Sequence, residues 1–269
     1  TRQDGWVPAI TVRRPTFDLG DLPHRWVGGS ALGTWFGDAA HVFIPLGERF
    51  FIDAVKRFRD GLDDDLRREV ASFMGQEAVH ARVHQAVWDN RRAHGVPIDR
   101  YAAFVERFQR TLDPLVGPEL QLAATAALEH YTAVFGQAFL EEDLDEVVGR
   151  EMAALLRWHG AEEIEHRSVA FDVLDVVDPR LATRLAGLAL GTALLLVVPG
   201  IGVAMFALAD LRAGRLRRPR LPDPRLVGMS ARLLRQVAAD LARYAAPGFR
   251  PGDEPVPAAY ERWLGAQAA

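Results

Sequence analysis

The chain has 269 residues, with 32 Lys and Arg against 36 Asp and Glu, a formal net charge of -4 and no cysteine. The missing thiols exclude disulfides, thiolate metal sites and cysteine nucleophiles. The mild acidity excludes the broad basic footprint that nucleic acid requires, so no nucleic-acid partner is expected.

The opening stretch TRQDGWVPAITVRRPTF has no apolar run behind a basic head, so it does not read as a signal peptide and a cytoplasmic protein is the default expectation. Strand-like alternation is nearly absent, while Ala, Leu, Arg and Glu recur at three- and four-residue spacings, which predicts an all-α fold. Residues 1–29, with Pro8, Pro15, Pro23 and several glycines, read as an irregular N-terminal arm. A helix is expected from about Ser30 to Arg59, with Pro45 marking a kink or a fresh start. A second follows from about Asp63 to His94, a shorter one over 99–112, a third long one from Pro118 to Leu140 and a fourth from Leu144 to Val177. Residues 30–178 thereby form a four-helix bundle with elaborations, and residues 219–269 add C-terminal helices packed on it.

Between these lies a region, 179–218, with a different character. From Leu185 to Ala209 the sequence runs 25 residues without a charge, longer than the roughly 20 that span a bilayer. Pro199-Gly200 interrupts it, which predicts an apolar helical hairpin. Arg180 and Arg184 before it, and Arg212, Arg215, Arg217 and Arg218 after it, fall on the same side of such a hairpin. Three occupants suit that face: a buried helical pair, a homodimer interface, or a membrane surface contacted through 185–209 by a peripheral protein.

The chemistry sits on the long helices. In WHGAEEIEHRSVAFDV, His159, Glu162, Glu163 and His166 share a sector of roughly 100° on a helix, followed on that face by apolar Ala170 and Val173. The second helix carries Glu77 and His80 three apart in MGQEAVHARVHQ, with His84 one turn on. Glu48 and Glu129 each stand alone on an otherwise apolar face. Buried, ionised carboxylates cost several kcal/mol each unless paired or bound to a cation. One Glu from each of two helices plus a Glu-x-x-His from each of the other two is a known recipe for a pair of iron or manganese ions. The expected ligands are therefore Glu48, Glu77, His80, Glu129, Glu163 and His166, around two ions, iron first and manganese as the alternative. His84 and His159 are candidates for additional ligands, supporting partners or proton carriers, and Glu162 for exchanging places with Glu163. His41 reads as a core or capping histidine because Pro45 disturbs the next turn; Glu165, His130 and Arg49 read as outer-face or supporting groups.

The segments HVFIPLGERFF, GQEAVHARVH, ALEHYTA and WHGAEEIEHRSVAFDV resemble a bacterial family of predicted metal-dependent hydrolases, over roughly residues 15–245. The resemblance extends to ferritin-like di-metal carboxylate proteins and implies a ferritin-like four-helix bundle. It further implies Glu77 and Glu163 as bridging ligands, Glu48 and Glu129 as terminal ones, and one ion each on His80 and His166. The chemistry expected first is an O2-dependent oxygenase or oxidase with O2 as co-substrate, acting on a small or lipophilic organic substrate, because the ligand faces carry no Arg or Lys for a phosphate. A two-metal hydrolase is the alternative, and a non-catalytic role in iron or oxidant handling is the third reading.

Overall fold

The computed structural model describes residues 10–216 and 223–267; Arg217 and Arg218, part of the expected linker and the first nine residues of the arm lie outside them. Among the described residues there is no strand, and the all-α expectation holds. The helices are α1 (Ala31–Lys56), α2 (Asp64–Ala93), α3 (Ile98–Leu112), α4 (Pro118–Glu141), α5 (Asp145–Val148), α6 (Arg150–His166), α7 (Val169–Val177), α8 (Leu181–Arg212), α9 (Pro224–Tyr244) and α10 (Ala258–Gln267). Ser30 and Asp63 start α1 and α2 by accepting from the backbone N–H of Gly33 and Leu66, which satisfies donors that a helix start leaves open. Helix α1 packs on α2 and α4 on α6, while α1–α4 and α2–α6 contacts bring the two pairs face to face.

Three expectations about helix continuity need correction. Pro45 does not start a new helix: α1 runs unbroken through the proline. The carbonyl that a proline strands is that of the residue four before it, here His41, and Trp88 Nε1 donates to His41 O at 2.8 Å. The expected fourth helix is divided into α5, α6 and α7. Gly149, at φ +83°, turns the chain between α5 and α6, and a turn at Arg167 and Ser168, whose backbones stay in the right-handed helical region, separates α6 from α7, with the Arg167 side chain donating to the Glu254 and Pro255 carbonyls.

The apolar hairpin is the third. Helix α8 is a single 32-residue helix with Pro199 inside it. Its small residues serve packing rather than a turn. Gly187, Gly191, Pro199 and Gly202 lie on its buried face, where a Cβ on Gly187 would stand 2.4 Å from Ala123 C of α4 and one on Gly202 would stand 2.6 Å from the Tyr101 ring. Tyr101 in turn donates to Val198 O at 2.9 Å beside the proline. Because α8 does not fold back, Arg180 and Arg184 sit at the opposite end from Arg212 and Arg215, and the same-side cluster of positive charge does not form. Arg184 is buried and donates to the Ala246 and Phe249 carbonyls. The other face of α8 is open: Leu185, Leu196, Val197, Leu208 and Leu211 are exposed. By length and composition α8 could cross a membrane, with a mean hydropathy of 2.3 over a window of which 22% is buried.

Candidate metal centre

Helices α1, α2, α4 and α6 deliver Glu48, Glu77, His80, His84, Glu129, His159, Glu162, Glu163 and His166 to one interior region, none of them more than 6% exposed. The residues singled out from the sequence thus come together, and seven of them fall into two groups, with Glu129 and Glu162 behind the imidazoles of the first. Glu77, His80, Glu163 and His166 offer ligand atoms within 4.8 Å of one another, and Glu48, His84 and His159 do the same. His80 Nδ1 faces Glu77 Oε1 at 3.5 Å, Glu163 Oε1 at 3.6 Å and Glu48 Oε1 at 3.8 Å. His166 Nε2 lies 3.2 Å from Glu77 Oε1. These contacts attract as charges without aligning as hydrogen bonds. Both oxygens of Glu48 and of Glu77, His80 Nδ1, Glu129 Oε1, Glu163 Oε2 and His166 Nε2 are buried and have no hydrogen-bond partner. Orphaned buried groups of this kind are costly, and hard oxygens beside imidazole nitrogens are the donor set of a divalent metal. The residues present fit such an ion.

The far side of each imidazole is held. His80 Nε2 meets Glu162 Oε2 at 3.1 Å and His166 Nδ1 meets Glu129 Oε2 at 2.8 Å. Glu162 does not trade places with Glu163: its Oε1 also accepts from Trp158 Nε1 at 2.9 Å and from Arg13 at 3.1 Å, which turns it away from the cluster. Glu129 reaches the centre through His166, with its second oxygen free of hydrogen bonds.

Electrostatics follow from burial and crowding. Burial, reinforced by neighbouring carboxylates, pushes Glu48 well above the usual carboxylate range; Glu129 is pushed up to about 8 by burial against the pull of His166. Burial also opposes charge on Glu163, but the imidazoles of His166, His159 and His80 outweigh it and hold that carboxyl at about 2. Burial works against the imidazolium of His166 too, and Glu163 and Glu129 overcome it, raising the group to about 9. In the metal-free chain, protons on Glu48 and Glu129 relieve the charge that cations would otherwise balance.

His41, His84 and His159 form a chain that ends on this cluster: His41 Nδ1 to His84 Nδ1 is 2.8 Å, His84 Nε2 to His159 Nδ1 is 2.9 Å, and His159 Nε2 to Glu163 Oε1 is 2.8 Å. Burial lowers all three imidazoles, so they are neutral and each has one N–H. The Glu163 carboxylate accepts from His159 Nε2, which leaves His159 Nδ1 to accept from His84 Nε2 and His84 Nδ1 to accept from His41. His41 is therefore part of the site and not a detached core residue. Glu165 also departs from its outer-face reading. It is 1% exposed and accepts from Arg13 at 2.7 Å, Gln76 at 2.8 Å and Tyr260 at 2.9 Å. Arg13, Gln76 and Tyr260 escaped the sequence reading because two of them lie far from the four helices and helical periodicity carries no signal for them.

A sequence profile described as "predicted metal-dependent hydrolase" matches residues 11–255. The chain belongs to this family. Comparison with curated proteins and with solved structures found no match. Membership of this family corrects the expected chemistry: its description as predicted metal-dependent hydrolases favours the two-metal hydrolase alternative over an O2-dependent oxygenase. It agrees with the buried groups of metal-binding residues, and with an enzyme that depends on metal ions.

Proposed function

We propose that this chain is a metal-dependent hydrolase that holds a divalent cation among Glu77, His80, Glu163 and His166. The observation that carries the reading is the convergence of unpartnered, buried carboxylate and imidazole atoms from α1, α2, α4 and α6 in a member of a family described as predicted metal-dependent hydrolases. A cation in that set supplies Lewis acidity, which polarises a carbonyl oxygen and makes water nucleophilic near neutral pH. The chain's own residues orient and shield it. Glu162 on His80 Nε2 and Glu129 at His166 Nδ1 fix both rings from behind, and such partners raise an imidazole's basicity as a ligand. Trp158 stands edge-on to the His80 ring at 5.0 Å and Phe73 to the His166 ring at 5.0 Å, keeping the surroundings dry. Two carboxylates with two imidazoles suit iron or manganese.

Arg13, the guanidinium that reaches this region, is engaged by Glu162 and Glu165. That favours an uncharged carboxylic ester or amide over a phosphate as the substrate class. His159 is the most exposed member of the cluster at 6%, and we place the substrate's approach on its side. The test is hydrolysis of p-nitrophenyl acetate and of bis-p-nitrophenyl phosphate by the metal-free chain, before and after adding ferrous or manganous ion under argon. Ester cleavage that appears with the metal and is lost in Glu163→Ala is expected. A fully loaded chain that cleaves neither compound sinks the reading.

A further inference from the structure

We infer that a cleft between α7, the start of α8 and the segment after α9 binds a small organic acid, a molecule with one carboxylate on an apolar body. The cleft has a volume of about 230 Å³ and shares no residue with the metal centre. Its wall is apolar, built from Phe171 and Leu174 of α7, Leu181 of α8, and Phe249. Arg184 stands in that wall at 8% exposure, its guanidinium 5.6 Å from the centre of the Phe171 ring and 5.7 Å from that of Tyr244. The terminal nitrogens donate to the Phe249 and Ala246 carbonyls, and Nε is buried with no partner. Among the described residues no carboxylate pairs with this guanidinium. A buried cation held only by neutral groups is short of a counter-ion.

The charges at the cleft select the ligand. Arg180 and Arg250 join Arg184 there, but each already meets an acid, Asp178 at 2.6 Å and Asp175 at 2.7 Å. Three guanidiniums against two carboxylates leave one positive charge, that of Arg184, for a single anionic group. A phosphate dianion would exceed that charge and would face both aspartates at close range. A carboxylate carries one charge and matches a guanidinium in shape, while the apolar wall covers the hydrocarbon. The space lies below the usual range for drug-sized ligands, so the acid has on the order of ten heavy atoms. Because it would touch α7, α8 and the segment after α9 together, its binding should also raise the melting temperature. None of this depends on the hydrolase reading.

Titration calorimetry on the full chain tests the site, with phenylacetate and hexanoate as probes. The chain is first stripped with a chelator, so that a carboxylate has no metal ion to ligate. Phenylacetamide, the same shape without the charge, and phenyl phosphate are the controls. Leu181→Trp fills the cleft without removing a polar group, and Arg184→Lys keeps the charge but loses the planar fork; each variant is shown first to melt cooperatively. One acid should bind per chain, with phenylacetamide and phenyl phosphate weaker by about tenfold or more. Leu181→Trp should abolish binding, and Arg184→Lys should weaken it by about tenfold. Should Arg184→Lys not fold, Leu181→Trp decides. Neither acid bound at millimolar concentration, phenylacetamide bound as tightly as phenylacetate, or full binding in Leu181→Trp would each overturn the inference and leave the hydrolase reading untouched.

Discussion

Trp88 Nε1 donates to the carbonyl oxygen of His41, the group that Pro45 leaves without its helical partner, at 2.8 Å. One indole from α2 thereby satisfies the carbonyl that Pro45 strands, where α1 runs on continuously from His41 to Glu48. Trp88→Phe preserves most of the ring but strands a carbonyl, which should cost about 1–2 kcal/mol. Urea denaturation should show the loss, and metal affinity should fall with it because His41 and Glu48 flank the affected turn. Unchanged stability would mean that the indole is incidental to α1.

Helices α4 and α6 cross where Gly136 meets Gly160. A Cβ on Gly136 would stand 2.4 Å from Gly160 O and 2.8 Å from Gly160 Cα, both backbone atoms that cannot swing aside. Gly136→Ala should therefore push the helices apart, destabilise by about 1–3 kcal/mol and weaken the hold of Glu129 on His166. Gly265→Ala, in open space on α10, is the control and should be neutral or slightly stabilising in the same thermal melts.

Arg13 ties the N-terminal arm to Glu165 at 2.7 Å and to Glu162 at 3.1 Å. Arg13→Ala leaves two buried carboxylates short of a counter-charge. Because the guanidinium is partly exposed, the expected cost is about 1–3 kcal/mol, below that of a fully buried pair. Arg13→Lys should recover only part of it, since a single ammonium cannot match both acids as the planar fork does. Full recovery by lysine in chemical denaturation would show that charge alone matters.

Burial, helped by Arg243 and Arg167, pushes His130 from its ordinary 6.5 down to about 4. The folded chain then holds its neutral form while the unfolded chain takes up a proton first. Stability should be full above about 6.5 and decline as pH falls toward about 4, by up to about 3 kcal/mol. His130→Gln, whose amide can still donate to Asp240 O, should flatten that segment of the stability-pH curve relative to wild type. Parallel curves would assign the acid sensitivity elsewhere.

The sequence carried the all-α class and the shared faces of the Glu-x-x-His pairs because both depend on spacing. Glu77 with His80 and Glu163 with His166 must share a face if the segments are helical, and an acid among alanines and leucines announces a buried charge. It did not carry helix continuity at Pro45 or Pro199, since the partners that rescue those turns, Trp88 and Tyr101, come from other helices. Gly187 and Gly202 look like breakers in one dimension and are points of close approach in three. The division of the cluster was hidden for a related reason. Which imidazole faces Glu48 depends on how α1, α2 and α6 rotate against one another. Glu162 and Glu163 could be told apart only once Arg13, from the arm, was seen on Glu162.

The central claim is that the acids buried between the helices are balanced by divalent ions. Thermal unfolding of the chelator-stripped chain at neutral pH, recorded with and without added iron, manganese or zinc and paired with elemental analysis of the protein peak, tests it most directly. The account predicts a melting temperature that rises with metal concentration, an ion that stays with the protein, and loss of both effects in Glu163→Ala. A stripped chain that melts at the same temperature with or without metal, and comes off the column with none bound, would contradict it.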